Sequence, residues 1–279
     1  MDGNALPFLY GTAWKKERTS DLVVAAVLAG FRGIDTACQP KHYSEGLVGD
    51  AVARLARDHG IGRESLWLQT KYTPIGGQDP ANVPYDRDAP LEAQVQQSVE
   101  ASLSNLGTDR IDSLVLHSPL RSYRDTLRVW RAFEAHVDRG VVTQLGISNC
   151  YDFHIFTKLF EDAAVKPKVL QNRFYDKSGF DEELRAFCLQ NGVTYQTFWT
   201  LTANREALAA RPIVAAARAH GVEPQQILFK WLSQRGHQPL TGTTSEAHMR
   251  EDLKITSFEL TEAEMRDIAG LFEYKAPKI

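Results

Sequence analysis

Eight short apolar runs, separated by helical patterns along 279 residues, predict an α/β fold whose strands close into a (β/α)8 barrel of the TIM type. Two further observations point the same way. The runs read as strands buried on both faces, as in a parallel sheet, and not as alternating half-solvated ones. No Gly-rich fingerprint follows the first run, as an open doubly wound sheet usually carries.

The strands come in order. An N-terminal strand-like segment, LYGTA from Leu9, is followed by GIDTA from Gly33, LWLQT from Leu66 and DSLVLH from Asp112. TQLGIS from Thr143, KVLQN from Lys168, VTYQTF from Val193 and QPLTGT from Gln238 complete the eight. Between them lie helical patterns. Residues 44–59 put Leu47, Val48, Ala51, Val52 and Leu55 on one face, with Gly60 to close the end. Residues 91–106 do the same ahead of Gly107, 126–139 carry Leu127, Trp130 and Phe133, and 182–190 carry Leu184, Phe187 and Cys188. Glu223-Pro224 opens another helix, and Thr261 with Glu264 forms a capping box ahead of the last. The whole chain, 1–279, reads as one domain. One connection, 73–90, is long and rich in Pro, Gly and Asp. It follows the third strand, so it is expected over the C-terminal face of the barrel, where active sites of this fold lie.

Composition narrows the function. The chain is 43% hydrophobic and 24% charged with net charge −3 and no long block of either sign, so neither nucleic acid nor a membrane is an expected partner. No apolar run is long enough to span a bilayer, and the N-terminus lacks a secretory pattern, so a cytoplasmic location is expected. Cys38, Cys150 and Cys188 are odd in number and widely spaced, which indicates neither a disulfide framework nor a metal site.

Four residues at or near the ends of successive strands carry chemistry: Asp35 in GIDTA, Tyr43 in KHYSEG, Lys71 in LQTKY and His117 in LVLHSP. Singly, each has an ordinary reading as a turn cap, a packed aromatic, a solvated cation or a loop anchor. Together they supply a phenol, an ammonium, a carboxylate and an imidazole, a proton-donating set for carbonyl chemistry. A phenol has pKa ~10 and needs an adjacent cation to become a useful acid at neutral pH. Lys71 is the expected cation, Asp35 fixes it, and His117 either holds the carbonyl oxygen or shares the proton, while Tyr43 donates it.

GFRGIDTA with Tyr43, then LQTKY, DSLVLHSP, QLGISNC and GTTSEAHMREDL resemble the successive motifs of the aldo-keto reductase superfamily over nearly the whole chain. The resemblance implies a (β/α)8 barrel, NAD(P)H-dependent reduction of an aldehyde or ketone, and Asp35, Tyr43, Lys71 and His117 as the catalytic tetrad. It implies Ser148, Asn149 and Gln171 on the nicotinamide carboxamide and Phe198, in place of the usual Tyr, as the stacking ring. Trp199 stands where a small Ser is common, which implies an altered diphosphate path. Thr243, His248, Glu251 and Asp252 match the adenosine end. Gly242 replaces a frequent Lys and His248 a frequent Arg, while Arg250 is either a substitute cation or a solvent-facing one. NADPH is therefore implied as cofactor, with NADH left open. Trp14, Tyr72 and Tyr85 are candidate substrate-facing aromatics. The chain ends soon after its last helix, in YKAPKI, so loop 73–90 is expected to take the specificity role. The expected partner is a small-molecule carbonyl substrate, and the expected state a monomer or weak homo-oligomer. Two other readings stay open: a nicotinamide-cofactor-binding regulatory subunit, and a non-redox isomerase or cyclase using the same pocket.

Overall fold

The computed structural model describes residue 6 and residues 8–272 of the chain. The C-terminal YKAPKI segment lies outside them. Eight strands, β1 (Leu9–Gly11), β2 (Gly33–Asp35), β3 (Trp67–Tyr72), β4 (Ile111–Leu116), β5 (Val142–Ser148), β6 (Val169–Arg173), β7 (Thr194–Phe198) and β8 (Gln238–Thr241), form a closed barrel in sequence order. Every neighbouring pair is parallel, and β8 returns to β1. All eight expected runs are barrel strands, and the N-terminal strand-like segment is itself the first of them.

Eleven α-helices surround the barrel among the described residues: α1 (Thr19–Ala29), α2 (Glu45–His59), α3 (Leu91–Leu106), α4 (Tyr123–Asp138), α5 (Phe153–Asp162), α6 (Glu182–Gln190), α7 (Arg205–Leu208), α8 (Arg211–His220), α9 (Pro224–Gln234), α10 (Glu246–Asp252) and α11 (Glu262–Ala269). Both expected helix starts form. Thr261 and Glu264 cap α11 reciprocally, and α9 begins at Pro224, where Glu223 and Gln226 add a reciprocal cap not read from the sequence. Helix α4 starts earlier than its apolar face suggests, because the Ser122 side chain accepts from the Asp125 amide and adds a first turn.

The strands divide their side chains by parity, since successive residues point to opposite faces. On β3, Leu68, Thr70 and Tyr72 face the helices: Leu68 joins a core beneath α1 and α2, Thr70 bonds Glu45 of α2, and Tyr72 packs below α3. Gln69 and Lys71 face the barrel interior. Leu114 and Leu116 of β4 and Leu145 and Ile147 of β5 likewise enter the outer core with Val99, Trp130, Phe133 and Phe156. The apolar core is thus a shell between barrel and helices, and the interior is polar.

Close approach of α2 to α3 depends on Gly49, where an added Cβ would lie 2.0 Å from the Asn105 carbonyl oxygen. A Cβ at Gly46, one turn earlier on α2, would meet nothing within 4 Å. Gly49→Ala is expected to destabilise by about 1–3 kcal/mol through overpacking. Gly46→Ala, which only gains helix propensity, is expected to stabilise by up to about 1 kcal/mol. Chemical denaturation of the two variants beside the wild type measures both signs.

Candidate active site

The interior polar residues converge on one ion pair. Lys71 Nζ donates to Asp35 Oδ1 and Oδ2, each at 2.7 Å, and to the Thr36 carbonyl at 2.8 Å. Both side chains are almost wholly out of water, Lys71 at 1% and Asp35 at 3% exposure. Asp35 Oδ1 also accepts from Gln69 Nε2 at 2.7 Å and Gln171 Nε2 at 3.0 Å. Gln196 Oε1 accepts from the same two amides, and Gln196 Nε2 donates to Gln238. A chain of glutamines from β3, β6, β7 and β8 therefore crosses the barrel beneath the site.

Above this floor opens a cavity of about 800 Å³, lined by Asp35, Tyr43, His117, Ser148, Asn149, Gln171 and Phe198 among others. Tyr43 comes from the β2–α2 connection and His117 follows β4 directly. Their ring centroids are 5.9 Å apart at 66°, and Lys71 Nζ lies 5.3 Å from the Tyr43 centroid. All four tetrad candidates are thus brought together. One expectation changes, however. Lys71 spends its three donors on Asp35 and Thr36, and burial, with the Asp35 charge adding to it, raises the Tyr43 phenol above its ordinary value. Burial also pulls the Lys71 ammonium down, against the pull of Asp35. Tyr43 is therefore a phenol held protonated, not one poised to ionise.

His117 is pushed down to about 3, first by burial and then by the Lys71 charge, so its ring is neutral at ordinary pH. Thr73 Oγ1, 2.6 Å from His117 Nδ1, fixes the ring. Ser148 Oγ donates to the Gln171 carbonyl at 2.7 Å, and Asn149 Nδ2 to the His117 carbonyl at 2.9 Å. Asn149 holds φ +50, a conformation Asn tolerates better than most residues.

Phe198, Trp199, Thr243, His248 and Asp252 line the cavity, but Glu251 does not. Burial pushes the Asp252 carboxyl up to about 6, against a Thr241 hydrogen bond. Arg250 also lies outside the cavity: it is exposed and pairs with Glu246 at 3.7 Å. Trp14 lines the cavity, stacked on His42 with centroids 3.8 Å apart.

Three placements correct the sequence reading. Tyr72 follows Lys71 by one residue, so it points out of the barrel, where its hydroxyl donates to Gln94 of α3. Tyr85 packs on Tyr72 and donates to the Thr73 carbonyl at 2.7 Å. Loop 73–90 contributes no residue to the cavity wall. It is tied to the barrel shoulder by Gln78, which donates to the Cys38 and Thr73 carbonyls, and by Tyr85. Its link to the site is Thr73, which orients His117.

Several residues of the cavity and of the polar floor beneath it went unread in the sequence. Strand parity gives them: Gln69 two before Lys71, Arg173 two after Gln171, Gln196 two before Phe198. Lys15 is another. Its ammonium donates to the Gly242 carbonyl, and a Cβ at Gly242 would lie 3.4 Å from Lys15 Nζ. The Lys15 charge thus stands beside the space a side chain at 242 would enter.

The neutral burial of His117 has a pH signature. Its folded pKa lies below the ordinary histidine value of about 6.5, so between about pH 6.5 and 3 the unfolded chain binds a proton that the folded chain does not. Stability is complete above that window and is lost as pH falls through it. His117→Asn is expected to flatten the dependence there by about one proton, ~1.4 kcal/mol per pH unit at most. Urea unfolding at a series of pH values in both proteins measures the difference, in which shared groups such as Asp252 cancel.

Comparison with known proteins agrees with this fold. The aldo/keto reductase family model matches residues 8–273. An aldo-keto reductase of Mycolicibacterium smegmatis is 28% identical over 272 residues, covering 97% of this chain and 91% of its own. Glyoxal reductase of Bacillus subtilis is 28% identical over 253 residues, covering 90% of this chain and 83% of its own. Among solved structures, the silkworm Bombyx mori aldo-keto reductase complexed with NADPH superposes with TM-score 0.80 at 23% identity, covering 97% of this chain and 85% of that one, a likeness of fold. With its family match running from the first strand past the last described residue, the chain belongs to the aldo/keto reductase family.

Proposed function

We propose that the protein reduces a small aldehyde or ketone to the alcohol with NADPH as hydride donor. The observation that carries the reading is the tetrad itself: Tyr43 and His117 face the cavity directly above a buried Lys71–Asp35 pair. The residues present fit a nicotinamide cofactor. Ser148 and Asn149 offer polar groups at the ends of β5, and Gln171 keeps its amide oxygen free while its nitrogen is engaged by Asp35 and Gln196. Phe198 offers a flat apolar face. Lys15 and His248 offer positive or protonatable groups toward β8.

When bound, the reduced nicotinamide supplies a hydride to the carbonyl carbon. The chain supplies everything else. His117, neutral and fixed by Thr73, donates a hydrogen bond that holds the carbonyl oxygen. The charge of Lys71 lies close to the oxygen on which negative charge develops. Tyr43, held protonated, gives its hydroxyl proton to that oxygen, and the resulting phenolate is stabilised by Lys71 until solvent reprotonates it. In the reverse direction the same phenolate is the base. NADPH is preferred over NADH on this reading because Lys15 stands beside Gly242, restoring a cation that the strand itself lacks. Glyoxal reductase among the relatives makes a short aldehyde the first substrate to try. The three cysteines are all free and buried, which suits a reducing, cytoplasmic location.

Tyr43→Phe is expected to lower kcat about 10²–10⁴-fold while leaving NADPH affinity unchanged. The measurements are loss of nicotinamide absorbance with a panel of small aldehydes, and calorimetric titration with NADPH and NADH in parallel. A Tyr43→Phe enzyme as active as the wild type would remove the proton-donor assignment. Product formed without any change in absorbance would instead favour a non-redox reaction.

A further inference from the structure

The cavity holds a cation that the proposed chemistry does not use. Arg173 ends β6, paired in register with Phe198, and strand parity places its side chain on the same inward face as Gln171, one step nearer the mouth. Its guanidinium carbon lies 4.3 Å from the Trp199 ring centroid and 5.8 Å from that of Phe198. Its Nε is buried without a hydrogen-bond partner. Among the described residues no carboxylate forms an ion pair with it. Of the two acids lining the cavity, Asp35 is committed to Lys71 and Asp252 lies at the β8 side, on α10.

Trp199 is itself unusual. It holds φ +58, a left-handed conformation that a bulky side chain rarely adopts, and it remains 51% exposed, so burial does not reward the strain. Its aromatic face is the surface on which the Arg173 guanidinium rests. A planar fork of donors held over an aromatic platform, with an unsatisfied buried N–H and no ion-paired carboxylate among the described residues, is a site suited to a bidentate oxyanion.

We propose that Arg173, positioned by Trp199, binds an oxyanion of a ligand in the catalytic cavity: a phosphate oxygen of the dinucleotide, or a carboxylate or phosphate on the carbonyl substrate. The inference rests on the reductase reading for its ligands but not for its geometry. The two sources share one chemistry and separate in one experiment. Arg173→Gln and Arg173→Lys are compared with the wild type, with circular dichroism melting to establish that each is folded. NADPH affinity is measured by calorimetry. At saturating NADPH, kcat/KM is measured for 4-carboxybenzaldehyde and for neutral 4-nitrobenzaldehyde.

If the oxyanion is the cofactor's, Arg173→Gln weakens NADPH about ten- to hundredfold, Arg173→Lys restores part of the loss, and the ratio between the two aldehydes does not move. If it is the substrate's, NADPH affinity holds and the preference for the carboxylate-bearing aldehyde collapses by a similar factor. Unchanged NADPH affinity together with an unchanged aldehyde ratio in Arg173→Gln overturns the proposal. A wild-type protein that binds NADPH yet turns over no aldehyde sinks the reductase reading separately, and the NADPH affinity of Arg173→Gln then decides the role of Arg173 alone.

Discussion

The buried Lys71–Asp35 ion pair is the constraint around which the barrel is arranged. Removing two opposite charges from water costs several kcal/mol for each ion, and their attraction offsets this only when the remaining donors and acceptors are satisfied. Here Lys71 has both carboxylate oxygens and a backbone carbonyl as acceptors, and Asp35 has two glutamine amides as further donors. Those glutamines need partners in turn, which Gln196 and Gln238 supply. A single buried ammonium thereby dictates a polar barrel interior reaching from β2 to β8. The apolar core is displaced to the shell between strands and helices, where Trp130, Phe133 and Tyr72 lie. The pair also sets the state of the nearby phenol. With every Lys71 donor occupied, no Lys71 hydrogen bond is left for Tyr43, and burial keeps that phenol protonated.

This dependence explains how much of the molecule was legible from residues alone. All eight strands were readable as short, largely buried segments between helical patterns, even though polar inward residues such as Gln69, Gln171 and Gln196 interrupt their apolar character. Helices were readable where an apolar stripe ended in a glycine, as α2 does at Gly60, where a proline opened the first turn, as in α9, or where a reciprocal cap did, as in α11. Helix α1 gave no such stripe: LVVAAVLA is apolar on nearly every side, and its Val content suits a strand as well. The four residues were legible because four chemically distinct groups fall at or near the ends of three successive strands, β2, β3 and β4. Tyr72 and Tyr85 were misplaced because an aromatic near a catalytic residue says nothing about which face of the strand it occupies. Parity from Lys71 decides that question, and the same parity reaches Gln69 and Arg173. Loop 73–90 misled through its length alone. Its hydrogen bonds to the Cys38 and Thr73 carbonyls show a strap serving His117 through Thr73, not a substrate wall.

The residues that depart from the family pattern make sense when taken as a set. Gly242 removes a side chain from the end of β8, and Lys15, from the β1–α1 connection, brings its ammonium to the vacated space and anchors on the Gly242 carbonyl. Trp199 replaces a small hydroxyl after β7, and Arg173 at the end of β6 lies on the new aromatic face. In each case a group lost from one strand end is accompanied by a cation arriving from a neighbouring one. A phosphate or carboxylate responds to the field at its oxygens, which depends on the position of the charge and not on the strand that delivers it. The barrel makes such exchange easy, because the C-terminal ends of β1, β6, β7 and β8 all open onto the same cavity. The chain thus places positive charge at two sides of its mouth, Lys15 toward β8 and Arg173 at β6, with Trp199 shaping the path between them.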